Sequence, residues 1–142
     1  MSKSDAFETQ LLKLIFNGTT IPGIADNTVT SALDHLFVAL HTADPGDGGT
    51  QSTSEATYTG YARVAIERSA AGWQVTGNSV SPAINIDFPT GTGGGGTATY
   101  WSVGTALNGA GEILYSGPLN PTITLGNGVT PRVSTSSTIT ED

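Results

Sequence analysis

The first eighteen residues carry their apolar side chains with the period of a helix. Asp5 is a candidate N-terminal cap with Glu8 three positions later, as in a capping box, and Asn17-Gly18 readily takes the left-handed conformation that ends helices. A helix of about eleven residues is marginal by itself, so we expect its apolar face to lie against a sheet or a neighbouring subunit. Four residues spaced i, i+4, i+7 and i+8 form this helix face: Phe7, Leu11, Leu14 and Ile15.

Beyond Gly18 the pattern changes to the period of β-strands. Between Tyr61 and Arg68 alternate side chains point to opposite faces, and Ile84 and Ile86 share one face in the same way. Such runs are rich in β-branched and aromatic residues and are separated by Gly, Pro, Asn or Asp turns. The pattern does not decide whether the segment 27–35 forms a helical turn or a loop. Strands are predicted at 36–42, 61–68, 72–80, 83–88, 97–105, 112–116, 122–125 and 132–139.

Many short strands with hardly any helix between them are typical of a mainly β protein. We predict an antiparallel β-sandwich, jelly-roll-like, with about eight strands and a short N-terminal α-helix. A chain of 142 residues is long enough for one hydrophobic core. The predicted organisation is an N-terminal amphipathic helix or arm, 1–18, followed by a single β-sandwich domain, 19–142.

Composition narrows the classes of function. Five basic residues against twelve acidic ones give a net charge of −7, so we expect no nucleic-acid partner. The absence of cysteine removes disulfides, thiolate nucleophiles and cysteine-bound metals. The sequence has neither a signal-peptide pattern nor an apolar run long enough to span a membrane, so we expect no membrane partner. Charged residues make up only 12% of the chain, and Thr, Ser, Gly and Asn take their place. Such polar surfaces occur on β-rich shell, fibre and carbohydrate-binding domains.

Two segments superficially match ligand-binding patterns. The glycines of 91–96 fit G-x-G-x-x-G, but a strand follows where a dinucleotide site needs a helix, so a flexible loop is the better interpretation. The acids of 44–55 are spaced as in a calcium loop, but Gly46 and Gly48 occupy ligand positions. A turn that begins at Asp44 is therefore favoured over a metal site.

Candidates for catalysis are equally weak. His35 and His41 lie on one face of a strand without a third metal ligand, and one of them is expected to satisfy a backbone carbonyl. No nucleophile elbow is present, and spacing selects no pair among the inner acids. We predict that the protein is not an enzyme and has no catalytic, cofactor-binding or metal-binding residues. The acids considered were Glu55, Glu67, Asp87 and Glu112.

The aromatic side chains have two interpretations. Exposed rings would stack on sugars, whereas rings within strands pack into a core or an interface. We favour the core or interface, since most of these residues lie at or within predicted strands. They are Tyr58, Tyr61, Trp73, Tyr100, Trp101 and Tyr115.

Five segments together resemble a family of small virion proteins of tailed bacteriophages, variously described as capsid cement (decoration) proteins or tail-fibre proteins. The resemblance extends over residues 36–142, and the N-terminal helix matches least. The segments are LHTADPG (40–46), YTGYARVAI (58–66), VTGNSVSP (75–82), IDFP (86–89) and TPRVSTSSTITED (130–142).

This resemblance implies a structural virion protein, made in the bacterial host cytoplasm and placed on the capsid exterior. A cement protein of this kind would bind the outside of the shell, with the major capsid protein as partner, and stabilise contacts between capsid subunits. Self-association is also expected, as a dimer rather than a trimer. The alternative is a tail-fibre or tail-tip module that binds host surface carbohydrate or another receptor.

Three regions are the predicted partner contacts. One is the helix face, Phe7, Leu11, Leu14 and Ile15. The second is the arm, 44–61, an exposed segment suited to backbone hydrogen bonding, with Asp44, Asp47, Tyr58 and Tyr61 as its contact residues. The third is the glycine-rich loop, 90–99, with Gly94 and Gly95.

Overall fold

A computed structural model of the protein describes residues 3–22, 24–25 and 32–142. The first part of the segment left open by the sequence, 27–31, lies outside these residues. No helix in the described ranges is long and apolar enough to span a membrane. The described elements are α1 (Asp5–Asn17), β1 (His35–His41), β2 (Val64–Glu67), β3 (Trp73–Thr76), β4 (Ser79–Pro82), β5 (Ile86–Asp87), β6 (Gly95–Gly104), β7 (Ile113–Gly126), β8 (Arg132–Val133) and β9 (Ile139–Thr140).

The chain divides into two compact units. The helix unit comprises Met1–His35, Ile66–Ile86 and Ser134–Asp142, and the sheet unit comprises Leu36–Ala65 and Asp87–Val133. Segments that the sequence places in one domain thus contribute to both units. The single domain 19–142 remains a prediction.

The predicted helix is present, but its amino-terminal cap lies one residue earlier than expected. Ser4, not Asp5, has the extended backbone of a capping residue, and its hydroxyl oxygen accepts a hydrogen bond from the Phe7 amide. Serine is among the strongest capping residues because its short side chain reaches the unpaired amides of the first turn. With Ser4 as the cap, Glu8 lies one position beyond the capping-box site.

The carboxyl end of α1 is closed by a residue distant in sequence. Gly18 adopts the left-handed conformation with φ 65°, and its amide donates to the Lys13 carbonyl. Arg68 donates hydrogen bonds of 2.5 and 2.6 Å to the carbonyl oxygens of Leu14 and Ile15. Because the last turn of the helix has no basic residue, Arg68 supplies the positive charge that the helix dipole favours there.

The inner face of α1 differs from the predicted helix face. Leu12 and Phe16 are completely buried, and the Phe16 ring packs edge-on against Trp73 with 4.9 Å between the ring centroids. The predicted face used Leu11 and Ile15 instead. Apolar residues occur in adjacent pairs at 11–12 and 15–16, so the helix has two neighbouring apolar stripes, and the one that packs inside the unit is not the predicted helix face.

A three-stranded antiparallel sheet in the helix unit has the order β3-β4-β9. The single strand predicted at 72–80 is in fact a hairpin, in which Thr76 pairs with Ser79 across a two-residue turn. Gly77 has φ 59° in the first turn position, where glycine is the residue that a tight hairpin favours. The two ends of the described chain meet in this unit, because the Lys3 ammonium lies 3.0 Å from the Glu141 carboxylate.

The largest sheet has four strands in the order β2-β1-β6-β7. β6 pairs antiparallel with β1 on one side and with β7 on the other. β7 joins the two strands predicted at 112–116 and 122–125. It retains Pro118 and Pro121 because it lies at the sheet edge, where a missing amide hydrogen costs no ladder bond. A two-stranded sheet of β5 and β8 completes the set.

The mainly β class with a short N-terminal helix is confirmed, with nine described strands in three antiparallel sheets rather than about eight strands. The jelly-roll arrangement is not confirmed by this strand order. The strand predicted at 132–139 is the pair β8 and β9, which belong to different sheets.

Candidate binding surface

The arm is folded onto the sheet unit along most of its length. Backbone hydrogen bonds join it to β1, from the Ala56 amide to the Leu40 carbonyl and from the Thr42 amide to the Ser54 carbonyl. The arm was expected to be exposed, and this expectation is wrong for the part around Ser54 and Ala56. Four of its residues are buried: Pro45, Gln51, Ala56 and Tyr58.

Gln51 anchors the middle of the arm. Its side-chain amide donates to the Phe37 carbonyl and accepts from the Ala106 amide, both at 3.0 Å. The side chain is completely buried and lies against Gly104 and Gly111, where an added Cβ would come within 2.3 and 2.2 Å of it. The two glycines thus leave the space that this polar side chain fills. Its amide nitrogen and its carbonyl oxygen both have hydrogen-bond partners, as buried polar groups require.

A buried ion pair holds the next part of the arm. Arg63 donates to both carboxylate oxygens of Glu55, at 2.7 and 2.8 Å, and its remaining donors reach the carbonyls of Ala106 and Gly109. The hydrogen bond to Glu55 raises the pKa of Arg63, so the guanidinium stays charged. The Tyr61 hydroxyl donates to the same carboxylate at 2.8 Å. This network ties the arm to the loop between β6 and β7.

His41 and Ser102 form a second buried polar contact. The His41 Nδ1 lies 2.8 Å from the Thr53 carbonyl oxygen, which can only accept, so Nδ1 carries the proton and Nε2 accepts from the Ser102 hydroxyl at 2.7 Å. Burial lowers the pKa of His41, which favours the neutral ring. The prediction that one histidine satisfies a backbone carbonyl is confirmed by this contact.

The tip of the arm remains exposed. The Asp44 carboxylate accepts from the Gly46 amide at 2.9 Å, which confirms the predicted turn, and the side chain of Asp47 is also exposed. Within the described ranges no group of three or more His, Cys, Asp or Glu side chains is placed to hold a metal ion. Of the four contact residues predicted in the arm, Asp44 and Asp47 are therefore the two that are exposed to a partner.

The two predicted tyrosine contacts lie mostly inside the protein. Tyr58 is 3% exposed and donates to the Pro89 carbonyl at 2.7 Å. Tyr61 is half-buried, stacks on Phe88 and accepts from the Leu40 amide. Burial raises the pKa of Tyr61, so its hydroxyl keeps the proton that it donates to Glu55. Their role in partner binding remains a prediction, and their side chains stabilise the arm.

A shallow groove runs beside the arm tip, with a cavity volume of about 300 Å³. Gly46 and Asp47 form one wall, and the first residues of β7 form the other, Ile113–Ser116. No sequence pattern indicated this neighbourhood, because the two walls are more than sixty positions apart in the chain.

The glycine-rich loop is only partly a loop. Gly94 is exposed with φ 74°, but Gly95 and Gly96 belong to β6 and pair with Gly126 and Leu125 of β7. The expectation of a flexible loop is wrong for these two residues. Glycine strings carry no strand signal, so only the pairing with β7 reveals them as the start of β6.

The predicted helix face forms the outer flank of α1. Phe7 is 36% exposed, and Leu11, Leu14 and Ile15 are half-buried. Leu33 is 44% exposed, and Arg68 donates to the carbonyl oxygens of both Leu33 and Leu14. The face therefore remains a candidate contact, although the helix already buries its other side.

The tryptophans that were candidates for sugar binding, and two of the acids that were candidates for catalysis, make structural contacts instead. Both tryptophans are inside the protein, Trp73 at 0% and Trp101 at 7% exposure, so neither is an exposed sugar platform. Among the acids, Glu55 pairs with Arg63, and the exposed Asp87 pairs with Arg132. The hydrogen bond from Arg132 lowers the pKa of Asp87.

Comparison with known families gives one match of nearly full length. Residues 2–141 match the model of the family described as "Podophage GP4 fiber I protein gp80". No curated protein matches the chain.

Proposed function

The chain belongs to this podophage fibre family, which makes it a structural protein of a bacteriophage virion, and we propose that it is a building subunit of the tail fibre. The match over residues 2–141 is the observation that carries the proposal. It favours the tail-fibre alternative raised by the sequence over placement as a cement protein on the capsid exterior.

The composition of the folded chain supports a building role. Charged residues are 12% of the sequence, and the arm, which first suggested a ligand site, is fixed by internal bonds of Gln51, Glu55 and Arg63. A fibre must transmit force without local unfolding, and buried polar anchors of this kind fix a loop in one arrangement. The proposed role is thus mechanical rather than catalytic.

The buried Ser-His contact is consistent with that role. His41 is 0% exposed and Ser102 is 1% exposed, so a substrate has no access to the hydroxyl that a nucleophilic reaction would use. The protonated Nδ1 is held by a backbone carbonyl rather than a carboxylate. We therefore assign the pair to the stability of the sheet unit.

Receptor recognition is a separate activity that a fibre subunit need not perform. The two tryptophans are buried, and among the tyrosines Tyr58 is buried as well. An aromatic surface for host carbohydrate would have to rely on Tyr61, Tyr100 and Tyr115, which are all half-buried. The described side chains thus give more support to a building role than to sugar binding.

The copy number and position of the protein in the virion test the proposal. Purified particles would be analysed by quantitative mass spectrometry against the major capsid protein, and by antibody labelling in electron microscopy. We expect far fewer copies than the major capsid protein, with label confined to the tail. A ratio near one with label spread over the shell would overturn the fibre proposal and restore the cement interpretation.

A further inference from the structure

The sequence contains three Asn-Gly pairs, at 17–18, 108–109 and 127–128. Asparagine is chemically labile, and it is most labile before glycine, because a residue without a side chain leaves its backbone nitrogen open to attack the asparagine side chain. The reaction needs a free asparagine side chain and a glycine amide that is not held in a hydrogen bond. Since the three pairs consist of the same two residues, the fold decides which of them reacts.

The pair at 17–18 is protected at both reacting groups. The Asn17 side-chain amide donates to the Trp73 carbonyl at 3.0 Å. The Gly18 amide donates to the Lys13 carbonyl at the end of α1. Both hydrogen bonds must break, and the end of the helix must open, before this asparagine can react.

The pairs at 108–109 and 127–128 form a matched comparison. Both asparagines are exposed, and both glycines adopt the left-handed conformation, with φ 76° at Gly109 and 78° at Gly128. The Gly128 amide donates to the Gly91 carbonyl at 2.8 Å. No group in the described part of the chain accepts a hydrogen bond from the Gly109 amide or forms one with the side chain of the preceding asparagine. The attacking nitrogen is thus engaged in one pair and free in the other.

We propose that Asn108 is a site of spontaneous deamidation in the folded protein. The Gly109 nitrogen gives up its proton and attacks the Asn108 Cγ, so that a carbon–nitrogen bond forms and the side-chain nitrogen leaves as ammonia. Water then opens the resulting cyclic succinimide to aspartate or isoaspartate. The overall change is hydrolysis of the amide by one water molecule, and nothing is oxidised or reduced.

The position of Asn108 gives this reaction a structural consequence. Arg63 donates to the carbonyl oxygens of Ala106 and Gly109 at 2.9 and 2.7 Å, on either side of the reacting residue. Isoaspartate adds one carbon atom to the main chain between these two acceptors. The Arg63 side chain is only 3% exposed, and buried donors that lose their acceptors destabilise a fold. Deamidation therefore weakens the network that ties the arm to this loop.

Peptide mapping of the purified full chain by mass spectrometry measures all three pairs in one sample. The protein is incubated at mildly alkaline pH, folded in one sample and unfolded by urea in another. In the folded protein Asn108 should react about fivefold faster than Asn127, because one hydrogen bond must first break at Gly128. Asn17 should react more slowly still. In urea the three rates should become similar, since the hydrogen bonds of the fold are absent there.

Variants separate the reaction from its effect on stability. Asn108→Gln should remove most of the modification, whereas the matched control Asn127→Gln should leave it in place. Aged wild type that contains isoaspartate should unfold at a lower urea concentration than fresh protein. The encoded Asn108→Asp variant has an ordinary backbone and should keep the stability of the fresh protein. A virion outside its host makes no new protein, so the modified fraction should grow with the age of the particle.

Equal rates at Asn108 and Asn127 in the folded protein, or the same ratio of rates in urea, would overturn the inference. An Asn108 that stays intact in the folded protein while it reacts in urea would do the same. Unchanged stability of chains that contain isoaspartate would refute the weakening of the arm. These outcomes are independent of the fibre proposal, because the reaction needs only the folded chain.

Discussion

The guanidinium of Arg63 faces the carboxylate of Glu55 through two parallel hydrogen bonds of 2.7 and 2.8 Å. Only 3% of the arginine side chain is exposed, compared with 18% of the glutamate side chain. The pair thus fixes an otherwise polar arm to the sheet unit from within. The equivalent pair of Asp87 and Arg132 lies on the surface. It leaves 44% of the aspartate side chain and 54% of the arginine side chain exposed.

These two ion pairs provide a matched test of burial. Arg63→Met should destabilise the fold by about 3 kcal/mol, because it leaves the Glu55 carboxylate desolvated and without its main partner. Arg132→Met removes the same kind of bond in solvent, where water screens the two charges, and should destabilise the fold clearly less than Arg63→Met does. Urea unfolding of both variants measures the difference. Equal losses would show that the Arg63 pair is not the anchor of the arm.

Adjacent leucines in α1 test which face of the helix is the interior. Leu12→Ala should reduce the free energy of unfolding by about 2–4 kcal/mol, since Leu12 is fully buried. Leu11→Ala removes the same atoms from a half-buried position and should cost clearly less, about 1 kcal/mol. Thermal and urea unfolding of the two variants settle the order. A larger loss for L11A would show that Leu11, and not Leu12, lies in the interior.

Gly104 tests the space around Gln51. In Gly104→Ala the new methyl group would lie 2.3 Å from the Gln51 side chain and 2.5 Å from the Glu112 carbonyl oxygen, so the backbone must shift. We expect a loss of about 2 kcal/mol or more. Gly117→Ala is the control in the same sheet, because an added Cβ there meets no atom within 4 Å. Similar stabilities of the two variants would contradict the close packing.

His41 makes stability depend on pH in a defined direction. Burial lowers its pKa in the folded protein, so the unfolded chain binds the proton more readily below the ordinary histidine pKa of about 6.5. Stability should therefore fall as the pH is lowered from neutrality through this value. Urea unfolding at a series of pH values measures the slope between pH ~7 and ~5.

His41→Gln should flatten that slope, whereas His35→Gln should leave it in place, since the buried His41 is then still present. The Ser102 contact gives the reason, because a protonated Nε2 would place two donors face to face unless the hydroxyl turns away. An unchanged slope in H41Q would assign the pH dependence to other groups.

Some features of the fold follow from local patterns and others require contacts between distant residues. The helix from 5 to 17 and the strand at 36–42 were predictable because apolar periodicity and turn residues lie within a few positions of one another. The hairpin turn at Gly77-Asn78 also has a local signal, because a Gly-Asn pair lies between two β-rich runs.

The anchors of the arm had no such signal. Gln51 lies in a stretch of Gly, Thr and Ser, and a polar residue in a polar stretch is expected at the surface. Its burial depends on Gly104 and Gly111, which lie more than fifty positions away. In the same way, Arg63 meets carbonyl groups of the 106–109 loop that no spacing in the sequence brings near it.

The contact between Lys3 and Glu141 has a consequence for how the chain could be rearranged. Lys3 and Glu141 lie close enough for a short peptide to join these two positions within the helix unit. New ends could then be opened at Gly48, an exposed position where added atoms meet no neighbour. Such a circular permutant would carry any fused cargo at the arm tip.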